Sequence, residues 1–136
     1  MVQEKFPQVN LIVNQENVGF SKANNQGIKL AHGKYIVLLN PDTVVEEHTF
    51  EKTISAFDAD EQLGGIGVRM VDGKGTFLPE SKRGLPTPMV AFYKVFGLSR
   101  LFPKSSRFGR YHLTYLSEFE TNEVDVLSGA YMGLRH

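Results

Sequence analysis

An apolar run leaves through Asn40-Pro41-Asp42 and meets a second apolar pair at Val44-Val45. Asn, Pro and Asp are all turn formers, and Asp42 could cap a following helix. The same tripeptide could instead hold a carboxylate in a fixed direction, since Pro41 stiffens the turn. A lone carboxylate suits Mg2+ or Mn2+ that completes its shell with phosphate oxygens and water. Such an ion acts as a Lewis acid on charge gathering at a departing diphosphate. The metal reading of Asp42 therefore needs a phosphorylated substrate; the turn reading needs nothing further.

A second group lies upstream, in the stretch NVGFSKANNQGIKLAHGKY. Gly19 allows a tight backbone turn, and residues 21–24 would present free N–H groups at a helix start. Asn24 and Asn25 follow one turn in, where Asn is a mediocre helix former and needs a partner. They either brace a neighbouring loop and face water, or line a ligand pocket.

The elements that would position these groups alternate. Residues 9–13 and 35–39 read as strands, the second short, apolar and suited to burial on both faces. Apolar and small residues on one side of the wheel predict a helix over 21–31, with Ser21 as N-cap and Gly33 as left-handed stop. Phe50, Ile54 and Phe57 predict an amphipathic helix over 46–57. Residues 65–71 read as a third strand, and Asp72-Gly73 signals a hairpin. A helix over 89–98, a loop over 101–110 and a return to the sheet over 124–127 complete the pattern. Strand–helix alternation predicts an α/β fold with a mainly parallel central sheet flanked by helices. Asp42 then sits at the carboxyl end of a strand, where open α/β sheets bind ligands.

The bulk composition permits this. The chain has 136 residues, 41% of them hydrophobic and 22% charged, which suits one domain with a core. Formal net charge is zero, so no global field favours nucleic acid. With no cysteine, disulfides, thiolate nucleophiles and zinc–thiolate sites are excluded. No signal peptide and no apolar run near the ~18 residues of a spanning helix are visible, so a cytoplasmic body is expected.

Residues 17–45, ENVGFSKANNQGIKLAHGKYIVLLNPDTVV with its preceding Glu16, resemble the central signature of family 2 glycosyltransferases, particularly the rhamnosyltransferase-like branch. Those sequences show Asn-x-Gly-Phe-x-x-Ala-Asn-Asn-x-Gly-Ile, then Gly-x-Tyr, then Leu-Asn-Pro-Asp-Thr. The later VDVLSGAYMGLR resembles the family's Val-Asp-x-x-x-Gly-Ala-x-Met segment. The resemblance implies a GT-A fold and an inverting transfer of a sugar, such as rhamnose, from a nucleotide-diphosphate donor to a cell-surface glycan or lipid-linked acceptor. By the same resemblance Asp42 binds the divalent metal and Asn40, replacing an acid, hydrogen-bonds the donor. Gly19, Ala23 and Asn25 line the donor pocket, and Ser128, Gly129 and Ala130 close over the sugar.

Two parts of the family pattern are absent: an opening pair of strands with an acid that grips the nucleobase, and a later acidic motif that supplies the catalytic base. Residues 1–136 are thus expected to be one incomplete GT-A domain, inactive alone, with an unpaired sheet edge that invites self-association. A nucleotidyltransferase-like domain, lacking here the expected basic glycine-rich loop, and a non-catalytic nucleotide-sugar or protein-interaction module remain the alternatives.

Residues 81–117 contain no Asp or Glu, while Lys82, Arg83, Lys94, Arg100, Lys104, Arg107 and Arg110 all fall there. This basic stretch, resembling the family's variable linker, reads as a solvated loop or as a surface for an anionic acceptor or the inner leaflet of the plasma membrane. His32, His48, His112 and His136 lack metal-ligand spacing and are expected at the surface.

Overall fold

The computed structural model describes residues 1–102 and 104–136, with the side chains of Lys94 and Arg100 outside the described set. Those two members of the basic stretch are therefore not placed. The elements run α1 (Val2–Lys5), α2 (Phe20–Leu30), β1 (Tyr35–Leu39), α3 (Thr49–Ala59), β2 (Gly65–Ile66), a 3-10 turn at Pro79–Ser81, β3 (Lys82–Arg83), α4 (Pro88–Val95), α5 (Leu98–Leu101), β4 (Val126–Leu127) and β5 (Tyr131–Arg135).

The main sheet has the order β1-β5-β2, and β5 runs antiparallel to both neighbours. β1 and β2 thus share a direction without touching, and the expected mainly parallel pairing is corrected. The reason is β5, a strand the sequence reading did not contain, which inserts between the two. Its register sets Tyr35 opposite Arg135 and Leu39 opposite Tyr131. Val126 and Leu127 do pair, but with β3 in a separate two-stranded sheet.

The core lies where α3 crosses β5. Phe57 and Tyr131 are the largest fully buried side chains. Tyr35 stacks on Phe57 with ring centroids 4.8 Å apart. Thr53 Oγ1 lies 2.9 Å from the Thr49 carbonyl and 2.8 Å from Tyr131 Oη. The threonine's one proton goes to the carbonyl, so Tyr131 donates to Thr53, and both buried hydroxyls are satisfied. Gly133 makes the crossing possible: a Cβ there would stand 3.0 Å from Thr53 Cγ2 and 3.3 Å from Phe57 Cε2.

Arg135 fastens the other end of α3. Its Nη2 donates to the carbonyls of Phe57 at 2.6 Å and Asp60 at 2.7 Å, and its Nε to Leu63 at 3.0 Å. The Phe57 and Asp60 carbonyls belong to the helix end, which leaves them without intrahelical donors, Leu63 lies just beyond it, and a cation there also meets the negative pole of the dipole.

Several boundaries move for local reasons. Residues 9–13 carry no strand pairing, and Leu11, Ile12 and Val13 are exposed, so the expected first strand does not form. α2 starts at Phe20 behind Gly19 at φ 81°, not behind Ser21, and the Gly19 N–H is held by Asn17 Oδ1 at 3.0 Å. It ends into an extended Ala31, so Gly33 is not its left-handed stop. α3 begins after His48, itself left-handed at φ 65°. The strand over 65–71 shrinks to Gly65–Ile66, and the hairpin survives as a Val71–Phe77 bridge whose left-handed residue is Gly75 rather than Gly73.

The helix expected over 89–98 forms as α4, so the basic stretch is not throughout the solvated loop that one reading gave it. It folds β3, α4 and α5 and buries Val90, Tyr93 and Leu113, with Tyr93 edge-on to Phe108 at 4.9 Å. His32, His48 and His136 are exposed, whereas His112 is half-buried. Among the described residues no helix is long and apolar enough to cross a membrane.

Candidate functional site

Three segments distant in sequence meet at the carboxyl end of β1. The Asn40 N–H donates to the Ala130 carbonyl at 3.0 Å, extending the β1–β5 ladder one step past its last paired residues. Thr43 Oγ1 donates to the same carbonyl at 3.4 Å, and the Thr43 N–H donates to Asn40 O at 3.1 Å. The Asn-Pro-Asp corner is therefore a closed turn tied by backbone and side chain to residues 128–130. Ser128 Oγ accepts from the Ala130 N–H at 3.3 Å and shapes the facing turn.

Phe20, the first residue of α2, completes the convergence. A Cβ on Gly129 would stand 3.0 Å from Phe20 Cζ, so the ring lies directly on the glycine backbone. Gly19 reaches the corner through this neighbour. Its φ of 81° explains why the position tolerates no ordinary side chain.

The remaining expected residues are placed less closely. Ala23 and Asn25 are exposed along α2, with the Ala23 N–H bonded to Gly19 O at 3.1 Å. Asn24, not Asn25, finds a partner inside the helix, donating to Phe20 O at 3.0 Å. The structure thus ties Asn40 and Thr43, which flank Pro41-Asp42, to Ala130, while Gly129 lies under Phe20 next to Gly19. Sequence reasoning passed over Phe20 and Thr43, although both sit within the quoted motifs; a bulky residue after a turn glycine was the available signal.

Asp42 itself is exposed and Asn40 half-buried. Among the described residues no three His, Cys, Asp or Glu side chains gather as a metal cage. The donor set fits a Mg2+ or Mn2+ ion shared with a phosphorylated ligand and not an ion held by protein alone. A groove of about 290 Å³ elsewhere, lined by Thr49, Lys52, Thr53, Ile66, Val68 and Arg69, has no carboxylate and shares no residue with this corner. Its position between α3 and the short β2 is that of a sheet edge left uncovered, so the corner at Asp42 is the better candidate.

Comparison with known proteins agrees with the motifs. The profile of the family described as "Glycosyl transferase family 2" matches residues 1–131. A stretch of 55 residues, 40% of this chain, is 42% identical to "Minor teichoic acid biosynthesis protein GgaB" of Bacillus subtilis (strain 168), of which it covers 6%. The chain thus spans a small part of that relative's length. No solved structure matches.

Proposed function

The chain belongs to glycosyl transferase family 2, and from that membership we propose that it holds a nucleotide-diphosphate sugar for transfer to a growing cell-surface glycan or lipid-linked acceptor. The likeness to a teichoic acid biosynthesis protein supports a cell-wall setting. The rhamnosyltransferase-like motif over residues 17–45 supports a deoxyhexose such as rhamnose, and an inverting transfer follows from the same resemblance.

The observation that carries the reading is the fastening of the Asn40–Asp42 turn to Ala130. Asp42 would hold Mg2+ or Mn2+ together with the donor diphosphate, and the ion would supply Lewis-acid neutralisation of the leaving phosphate. Asn40 would hydrogen-bond the donor. Gly19, Ala23 and Asn25 would border the nucleotide, while Ser128, Gly129 and Ala130 would face the sugar. No carboxylate of this chain is assigned as the catalytic base. What the residues themselves supply is a fastened turn that carries the carboxylate and a backbone wall facing it, the positioning part of catalysis.

Titration of the chain with several nucleotide sugars, with and without Mn2+, tests this. Metal-dependent binding of at least one donor is expected, and Asp42→Ala should weaken it at least tenfold while Asn40→Ala weakens it less. Binding that ignores both Mn2+ and the Asp42→Ala change would overturn the assignment.

A further inference from the structure

Phe20 keeps its ring in the open although its main chain is fixed on both sides. The residue is 54% exposed. Before it, Gly19 turns at φ 81° with its N–H held by Asn17 Oδ1 at 3.0 Å. From one turn further on, Asn24 Nδ2 donates to the Phe20 carbonyl at 3.0 Å. The ring is thus carried on a braced corner and still faces solvent.

The contact with Gly129 says how the ring is turned. The atoms nearest to a Cβ at that glycine are Cζ at 3.0 Å, Cε1 at 3.4 Å and Cε2 at 3.7 Å. These are the tip of the ring and the two atoms flanking it. The ring therefore abuts the glycine end-on, a contact that leaves its faces uncovered. The next residue, Ala130, accepts from the Asn40 N–H and from Thr43 Oγ1. Consecutive residues 129 and 130 thus seat the ring of α2 and the turn that carries Asp42.

From this geometry we infer that Phe20 is a specificity-determining residue, an open face of its ring stacking against the apolar C–H face of the donor's pyranose. The inference rests on the reading in which residues 128–130 face the sugar. An aromatic face is the negative part of the ring quadrupole. Sugar C–H groups, polarised by their oxygens, meet it with positive hydrogens, while the hydroxyls stay free for polar partners. A deoxyhexose bears a C6 methyl where a hexose bears a hydroxymethyl, so it gives up less hydration against such a surface. The ring therefore favours the deoxyhexose. A nucleobase could stack on an aromatic face too, but this ring is seated on the segment assigned to the sugar.

Equilibrium binding in Mn2+ to dTDP-rhamnose and UDP-glucose, each beside its free diphosphate dTDP or UDP, tests the assignment. Phe20→Leu should weaken the nucleotide sugar about fivefold, more for the rhamnose donor, and leave the free diphosphate unchanged. The urea midpoint should also hold, because the ring is half exposed. Gly129→Ala, whose methyl displaces the ring tip, should cause the same selective loss and add little to Phe20→Leu in the double variant. A loss shared equally by the free diphosphate would make the ring a brace or a nucleobase platform and overturn the inference. No loss, or full additivity of the two changes, overturns it as well, and all three leave the role of Asp42 standing. A parent chain that binds neither nucleotide sugar in Mn2+ overturns the reading of the site and the inference together.

Discussion

At the residue scale the tightest constraint is Gly133. Its strand neighbours could accept many side chains, but α3 lies so close that a methyl group must displace Thr53 or Phe57. Phe57 is fully buried and cannot swing away. Gly133→Ala should therefore cost about 1–3 kcal/mol, the usual range for overpacking, read as a lowered midpoint in urea. Asp72 provides a pH-dependent counterpart. The N–H groups of Thr76 and then Lys74, each 2.8 Å from Oδ1, hold its carboxyl below the ordinary value of 3.8. A depressed folded pKa adds stability above 3.8 and loses it as pH falls through the lower folded value. The stability difference between the parent and Asp72→Ala should accordingly be constant near neutrality and shrink below pH 3.8, as thermal melts across that range would show. Asp58 behaves alike, its carboxyl held down first by Lys34 at 2.7 Å and then by Tyr35.

At the element scale, the joint between α3 and β5 depends on one side chain. Arg135 belongs to the strand yet satisfies carbonyls at the end of the helix and just beyond it. Arg135→Met should leave those carbonyls short of donors and lower stability by about 2 kcal/mol, with Arg135→Lys recovering part of the loss, measured by chemical denaturation. Elements written in short-range pattern were legible: β1 in its apolar run, α2 and α3 in their periodicity, and the 72–76 turn in its Asp and Gly. The corner at Asp42 was legible for the same reason, because its turn chemistry lies in adjacent residues. β5 was not, since Gly133 breaks its apolar pattern and its need for glycine arises only when Thr53 and Phe57 arrive from far away. Pairing direction follows from that missed strand. Within 81–117 the helix expected over 89–98 was legible and forms as α4, whereas its packing was hidden, because Tyr93 and Phe108 meet only in three dimensions.

At the scale of the whole molecule, much apolar surface stays uncovered. Val13, Phe20, Leu30, Leu39, Val44 and, on α4, Val95 are all exposed. β1 pairs on one side only, so its five residues present an open row of backbone groups. An open edge of that length templates another strand. The chain should self-associate as concentration rises, and Leu39→Lys, which sets a charge at the end of that edge, should shift sedimentation back toward the monomer.

The strand that unites the main sheet arrives late along the polypeptide: Tyr131 meets Thr53 across a separation of 78 residues. A ribosome would release β1 and α3 long before the piece that covers them exists. Closing so long a loop precedes any reward from sheet pairing. Until then Tyr35 of β1 can cover Phe57 while the side of α3 that meets Tyr131 stays open, and the nascent chain must be kept from sticking to its neighbours. Fast, autonomous collapse of the first half is not what this topology allows; its assembly waits for one short segment.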